Sequence, residues 1–546
     1  MFRRRKTPPP SKAKRHALDA SLTHYECLWC PRSCFAILSW YFRFPLRRSF
    51  LLLLYIVECL LVVPLRCLGC CSKQFDAHHA ETLAIQEYIQ YQQLDNTPTE
   101  VQRLRHLFNL HPEHRMSLQV VLSGLWNWYP IGRLIYDMNI IKGLRNKLAL
   151  LDYDATYDLL DVPIPPTVWI VGLPRTGSTY FHSLLSLDDD HVQTYKQWEL
   201  RAPVPHRPAW AAQEETNNTN STDSTDSTDI TNSTDNTDST SNTTNAALAG
   251  DARQQQAEKA EWLFQLIFHP LTNIHYVASN QVDECVQGFV EATINEYYLW
   301  GCHSMPKAWD WYVNQTAAIT QYEHFKRSIA VPFTPSSLRN NPHKKKISAI
   351  VLKSPHHSVK LRTIAKVFNA PVYIWLHRDV ESVVGSTCSM NVAINDCICA
   401  TFERKEQIGR RTLETLAKAM DKAVKDRAAL EKEGKVVFVD IFHEDLRSNP
   451  LDVVRRVYSV LQMKVSTQFQ EQIAKDTKQR REERKRTNNS GRSRDSSNSR
   501  SQHRYNLEEF GLTSVAVKNA FTKYSAMVNR IRNKRDTATN LDDKRQ

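Results

Sequence analysis

Beyond position 76, apolar residues recur at three- and four-residue steps: Leu104, Leu107, Phe108, Leu118, Val121, Leu122 and Leu125. That period predicts helices over 76–165, with one apolar stripe turned to a core. Pro163, Pro165 and Pro166 break the pattern, and short apolar runs replace it, unbroken at 168–171, 349–352 and 372–376 and interrupted by Asp440 at 436–441. A run of that length with no polar alternation predicts a strand buried on both faces. Helical patterns follow, as in Phe181/Leu184/Leu185, Leu361/Ile364/Val367/Phe368 and Val453/Val454/Val457/Val460. Strands alternating with helices predict an α/β architecture: a three-layer sandwich with a central parallel sheet, a helical N-terminal extension, and ligands at the strand carboxyl ends.

Two stretches have neither period. Residues 213–250 are mostly Asn, Ser, Thr and Asp, and 476–502 are polar and basic. Neither has the apolar content to offset ordering entropy, so both are expected to be disordered insertions within one domain spanning 166–530. A polar tail, 531–546, closes the chain. Asn217, Asn220, Asn232, Asn242, Asn314 and Asn488 each begin a glycosylation sequon, which matters only in a lumenal protein.

Residues 1–75 differ in kind, combining a basic N-terminus with a membrane-associated segment. The apolar run 50–65 would span about 24 Å as a helix, against a hydrocarbon core of ~30 Å. Glu58 and Pro64 interrupt it, while Arg47, Arg48 and Arg66 flank it. A second apolar patch, 34–44, precedes it. Three arrangements fit: a single signal anchor with a lumenal catalytic domain, a shallow hairpin leaving everything cytosolic, or a buried helix pair. The apolar core starts too late for a cleavable signal peptide.

The net charge of +13 suits an anionic partner. Much of the excess is local, at Arg3, Arg4, Arg5 and Lys6 and again at Arg480, Arg481, Arg484, Lys485 and Arg486, so nucleic acid is not the expected partner. Seven of the twelve cysteines fall within the first 71 residues. Cys27/Cys30 and Cys67/Cys70 have a zinc-ligand spacing, but the lipid-like interval between them favours acylated or free thiols.

The candidate chemistry begins where the first strand ends. Gly172-Leu173-Pro174-Arg175-Thr176-Gly177-Ser178-Thr179 matches G-x-x-x-x-G-K-[ST] except that Ser178 replaces the lysine of nucleotide hydrolases. The sandwich is therefore of the P-loop type. Its loop holds a phosphate or sulfate with backbone N–H groups, Arg175 and hydroxyls. Two later strand ends carry Lys353-Ser354-Pro355-His356-His357 and His377-Arg378-Asp379, the latter followed by Ser386. The His-Arg-Asp triplet imitates a kinase catalytic loop, yet Val384 stands where the metal-binding asparagine belongs.

In order and placement these motifs resemble the PAPS-dependent sulfotransferases, in the broad branch that reads PRTGTT, WE, KSPxH and HRDPxxxxxS. The resemblance implies that Arg175, Thr176, Gly177, Ser178 and Thr179 grip the 5′-phosphosulfate of 3′-phosphoadenosine-5′-phosphosulfate (PAPS). It also implies that Arg378 and Ser386 grip the 3′-phosphate and that Tyr180 lies against the adenine. No metal is implied, since Arg175 and Lys353 supply the positive charge. Glu199, in Trp198-Glu199, is the first choice of base for the acceptor hydroxyl and His356 the second. Asp283-Glu284 resembles a further acidic pair of this branch, or caps a helix. Val380 departs from the branch's proline. His503-Arg504-Tyr505 and Phe510-Gly511-Leu512 resemble its closing segment.

The expected function is thus a sulfotransferase acting on a hydroxyl of a carbohydrate, glycolipid or small molecule. With the membrane segment it would be membrane-associated, a Golgi single-pass protein or one held by a cytosolic-face hairpin. A non-catalytic nucleotide-binding interaction protein and a small-molecule kinase are the alternatives.

Overall fold

The computed structural model describes residues 77–92, 94–109, 130–205, 251–267, 278–289, 318–369, 371–398, 404–490 and 506–543, all of which fall in one compact unit. The apolar runs form strands β1 (Thr167–Gly172), β3 (Ala349–Lys353), β4 (Val372–His377) and β5 (Val437–Phe442). A two-residue strand, β2 (Val192–Gln193), joins them at the edge. The order is β2-β3-β1-β4-β5, and every pairing is parallel.

The central β1 is buried at all six positions, which is why no polar residue alternates there. Its side chains divide between two cores. Trp169 and Val171 join Leu352, Tyr373 and Trp375 beneath helices 361–367 and 405–433. Val168 and Ile170 join Val351, Ile374 and Leu376 beneath helices 178–185 and 450–460. These are the three layers. Helix Pro450–Val460 shows how the local sequence builds its layer: Asn449 accepts the Asp452 N–H at its start, Pro450 opens the first turn, and Val453, Val454, Val457 and Tyr458 are buried.

In the N-terminal extension, helices Ala77–Gln92, Pro98–Asn109 and Pro130–Tyr157 bury Ala84, Tyr88, Leu104, Phe108, Leu144 and Leu148 together. Asp152 accepts the Tyr88 hydroxyl at 2.7 Å and an Arg103 N–H at 2.6 Å.

Two expectations change. Residues 476–490 are not a disordered loop but the continuation of helix Thr467–Ser490. Phe469 and Ile473 are buried in the sheet's second core and anchor its first turns, and Asp476 pairs with Arg480 one turn on. The Golgi single-pass placement is also corrected. Among the described residues no helix is long and apolar enough to cross a membrane. The run 50–65, already short of a hydrocarbon core, lies outside them, as do the paired cysteines, residues 213–250 and 503–505.

Candidate active site

The loop after β1 owes its course to left-handed residues. Gly172 has φ +121°, and a Cβ there would meet the Leu376 carbonyl oxygen of β4 at 2.6 Å. Ser358 braces the same glycine, accepting its N–H at 2.8 Å and donating to its carbonyl at 3.1 Å. Arg175 (φ +63°) and Gly177 (φ +92°) then turn the backbone left-handed twice more, the conformation in which successive N–H groups line a concave anion nest. Helix Ser178–Leu185 follows with no side-chain cap, so its N-terminal N–H groups and dipole face the loop. Thr176, one of the loop residues expected to grip the donor, is fully buried, and its hydroxyl donates to the Leu173 carbonyl at 2.9 Å.

The end of β4 meets this loop directly. Arg378 donates to the Arg175 carbonyl at 2.7 Å, and Arg175 Nε donates to Ser386 Oγ at 3.0 Å. The two anion-binding groups inferred from distant motifs are therefore one bonded unit. Behind Arg378, His377 bonds the Asp440 carboxylate at 2.8 Å and the Tyr524 hydroxyl at 3.0 Å. Arg427 forks onto Asp440 at 2.6 and 2.8 Å. Burial alone would raise the Asp440 carboxyl, but the bonds from Arg427 and His377 outweigh it and hold the group at about 2. Burial lowers His377 despite its carboxylate partner. This network fixes the strand end that presents Arg378.

β3 ends in Lys353, whose side chain is 1% exposed. Its Nζ donates to Glu284 Oε1 at 2.7 Å and to Thr179 Oγ1 at 3.1 Å. The backbones clasp as well: the Cys285 N–H donates to the Lys353 carbonyl at 2.8 Å, and the Lys353 N–H to Cys285 Sγ at 3.1 Å. Lys353 thus reaches the loop through Thr179, with a carboxylate attached.

The two candidate bases lie apart from these bonds. Glu199 Oε2 accepts the Lys196 N–H at 2.7 Å and caps the short helix Gln197–Arg201. His356 is buried with Nδ1 3.0 Å from Ser354 Oγ, and burial drives it well below the usual histidine range. Tyr180 has the guanidinium of Arg480 4.7 Å above its ring, so arginine covers one face.

Burial, with the Lys353 charge adding to it, also pushes His182 and His357 down to about 3. Unfolded histidines titrate near 6.5. Both folded values are depressed, so this stabilisation is full above about 6.5 and is lost as pH falls toward 3. Each group contributes about 1.4 kcal/mol per pH unit across that window. Urea unfolding is expected to show about 3–4 kcal/mol less stability at about pH 5 than at about pH 7.5. An unchanged stability would contradict the neutral burial of these rings.

Sequence reasoning missed Ser358, the attachment of Glu284 to Lys353, and the Asp440–Arg427 support. Ser358 stands five residues beyond Lys353 in the same motif and could have been suspected. Asp440 and Arg427 carried no local signal. Among the described residues no group of three or more His, Cys, Asp or Glu side chains could hold a metal.

A family model described as "Sulfotransferase family" matches residues 166–467, more than half of the chain. Among solved structures, a sulfotransferase, STF9, from Mycobacterium avium superimposes with a TM-score of 0.57 at 18% identity, covering 84% of this chain and 97% of its own. A second, STF1 from Mycobacterium tuberculosis H37Rv, gives 0.54 at 19% identity, covering 77% and 96%. No curated protein matches the chain. At these identities the structures speak for the fold: a parallel sheet with flanking helices, as observed.

Proposed function

The chain belongs to the sulfotransferase family, and from that premise we propose that it moves the sulfuryl group of PAPS to a hydroxyl of a carbohydrate or glycolipid. The carrying observation is the bonding of Arg378 and Ser386 to Arg175. A donor with a phosphosulfate at one end and a 3′-phosphate at the other needs two anion grips at a fixed separation, and two strand ends supply them as one unit. The residues fit such a donor on three further counts: a left-handed loop, an uncapped helix N-terminus, and cations at three strand ends.

PAPS supplies the activated sulfuryl group. The chain supplies position and charge. The N–H groups of residues 176–179 and the Arg175 guanidinium bind the phosphosulfate, and Lys353, beside Thr179, neutralises charge at the sulfuryl oxygens. Arg378 and Ser386 hold the 3′-phosphate, and Tyr180, backed by Arg480, offers a face to the base. Glu199, anchored by one oxygen, accepts the hydroxyl proton; His356, held neutral, is the second candidate.

Incubated with PAPS and a panel of hydroxyl-bearing glycans, the chain is expected to form 3′-phosphoadenosine 5′-phosphate (PAP), undiminished by a metal chelator. Glu199→Gln should lose about 100-fold in turnover at unchanged donor affinity, the size of a general-base contribution, with a smaller loss for His356→Ala. If neither substitution reaches that loss, both assignments are wrong.

A further inference from the structure

The most heavily buried cation of the site has an internal anion. Lys353 lies at the end of a central strand with its side chain almost fully enclosed. Three histidines, His182, His356 and His357, are depressed by burial and further by its charge. A cation so enclosed is costly unless it is paired, and among the described residues the one carboxylate bonded to it is Glu284. Lys353 reaches loop residue Thr179 with the same ammonium group. That group therefore stands between a permanent carboxylate and the place where an anionic ligand would lie.

Glu284 is held there by a purpose-built frame. Its own N–H donates to Asp283 Oδ1 at 2.6 Å, and Asp283 Oδ2 accepts the side chains of Gln197 and Gln287 at 3.2 Å each. The frame joins residues 195–198 to 279–283, where Gln197 and Trp198 donate backbone N–H groups to Gln281 and Ser279, at 3.0 and 3.2 Å. The carboxylate is thus placed both by the segment that carries Glu199 and by the clasp of Cys285 on the end of β3, so only the Glu284 side chain need move for it to yield its cation.

We propose that Glu284 is a positioning residue, an internal counter-ion that Lys353 exchanges for the sulfonate of the bound donor. Resting on the sulfotransferase reading, this assigns the lysine two alternative anions. With the site empty, the carboxylate keeps Lys353 buried and aligned beside Thr179. With PAPS bound, the ammonium turns to the sulfonate and the carboxylate is released at the loop. The exchange opposes donor binding by the strength of the internal pair, and it opposes the sulfonate-free PAP less.

The test measures PAPS and PAP affinities by calorimetry on the full chain, with Glu284→Gln, Glu284→Asp and the wild type, alongside their melting temperatures. Glu284→Gln is expected to lower the melting temperature yet tighten PAPS by about tenfold, because an internal competitor is gone, while PAP changes less than threefold, ~0.6 kcal/mol. Glu284→Asp keeps the charge and should return PAPS affinity to within about threefold of the wild type, which also covers the case in which Glu284→Gln fails to fold. A purely structural Glu284 would instead weaken both ligands together, and weaker or unchanged PAPS binding by Glu284→Gln overturns the proposal. If Glu284→Gln does not fold, Glu284→Asp departing from the wild type by more than that, or weakening both ligands alike, overturns it. A wild type that binds neither PAPS nor PAP would show that the donor reading itself had failed.

Discussion

Gly172→Ala is expected to destabilise the protein by more than about 3 kcal/mol and to abolish PAP binding, the largest effect of any single methyl group at the site. Two costs add. The backbone at φ +121° lies where side-chain-bearing residues are strained. The new Cβ would also stand 2.6 Å from the Leu376 carbonyl oxygen, a backbone atom of the neighbouring strand that cannot swing away. Relief requires β1 and β4 to part where Gly172 pairs with Leu376, which pulls Arg175 from Arg378. Gly434→Ala is the control, since that glycine is left-handed at φ +67° with nothing within 4 Å of a Cβ. It should cost only about 1 kcal/mol and leave PAP binding intact. Urea unfolding of both variants decides it, and equal losses would show that the close approach to Leu376 is not what makes the substitution costly.

Much of the fold was legible because three of its strands are buried on both faces, β5 being only half-buried over most of its length. In β1, β3 and β4 almost every side chain is enclosed, and such a strand cannot be written without an unbroken apolar run. The edge strand β2, two residues long, leaves no such run and was not seen. Helix 467–490 was misjudged from composition. Its second half is strongly basic in sequence, and the buried Phe469 and Ile473 lie in its first turns, outside the biased stretch.

At the site, the loop, Lys353 and Arg378 could be read because each sits at or just beyond a strand end, where a parallel sheet gathers its ligands, while Ser386 lies inside the helix that follows β4. Their partners could not. Glu284 lies 69 residues from Lys353, and Asp440 lies 63 from His377. Nothing in the spacing announces that pairing; it follows from which strands become neighbours. Thr176 illustrates the converse, a motif residue whose hydroxyl donates to the loop's own carbonyl.

The second large effect falls on the group that separates PAPS from other adenine nucleotides. Arg378 is presented by a strand end that the His377–Asp440–Arg427 network holds in place, and its guanidinium already reaches the loop through Arg175. A planar guanidinium can fork onto a phosphate, and two charge-assisted bonds at about 1.5–3 kcal/mol each amount to roughly 100-fold or more in affinity. Calorimetric titration of the wild type and Arg378→Ala with PAP and with AMP reads that contribution directly. The wild type is predicted to bind PAP at least about 100-fold more tightly than AMP, and Arg378→Ala to lose most of that preference while its AMP affinity changes little. Equal affinity of the wild type for PAP and AMP would contradict a site built for the 3′-phosphate, and with it the sulfuryl-transfer account.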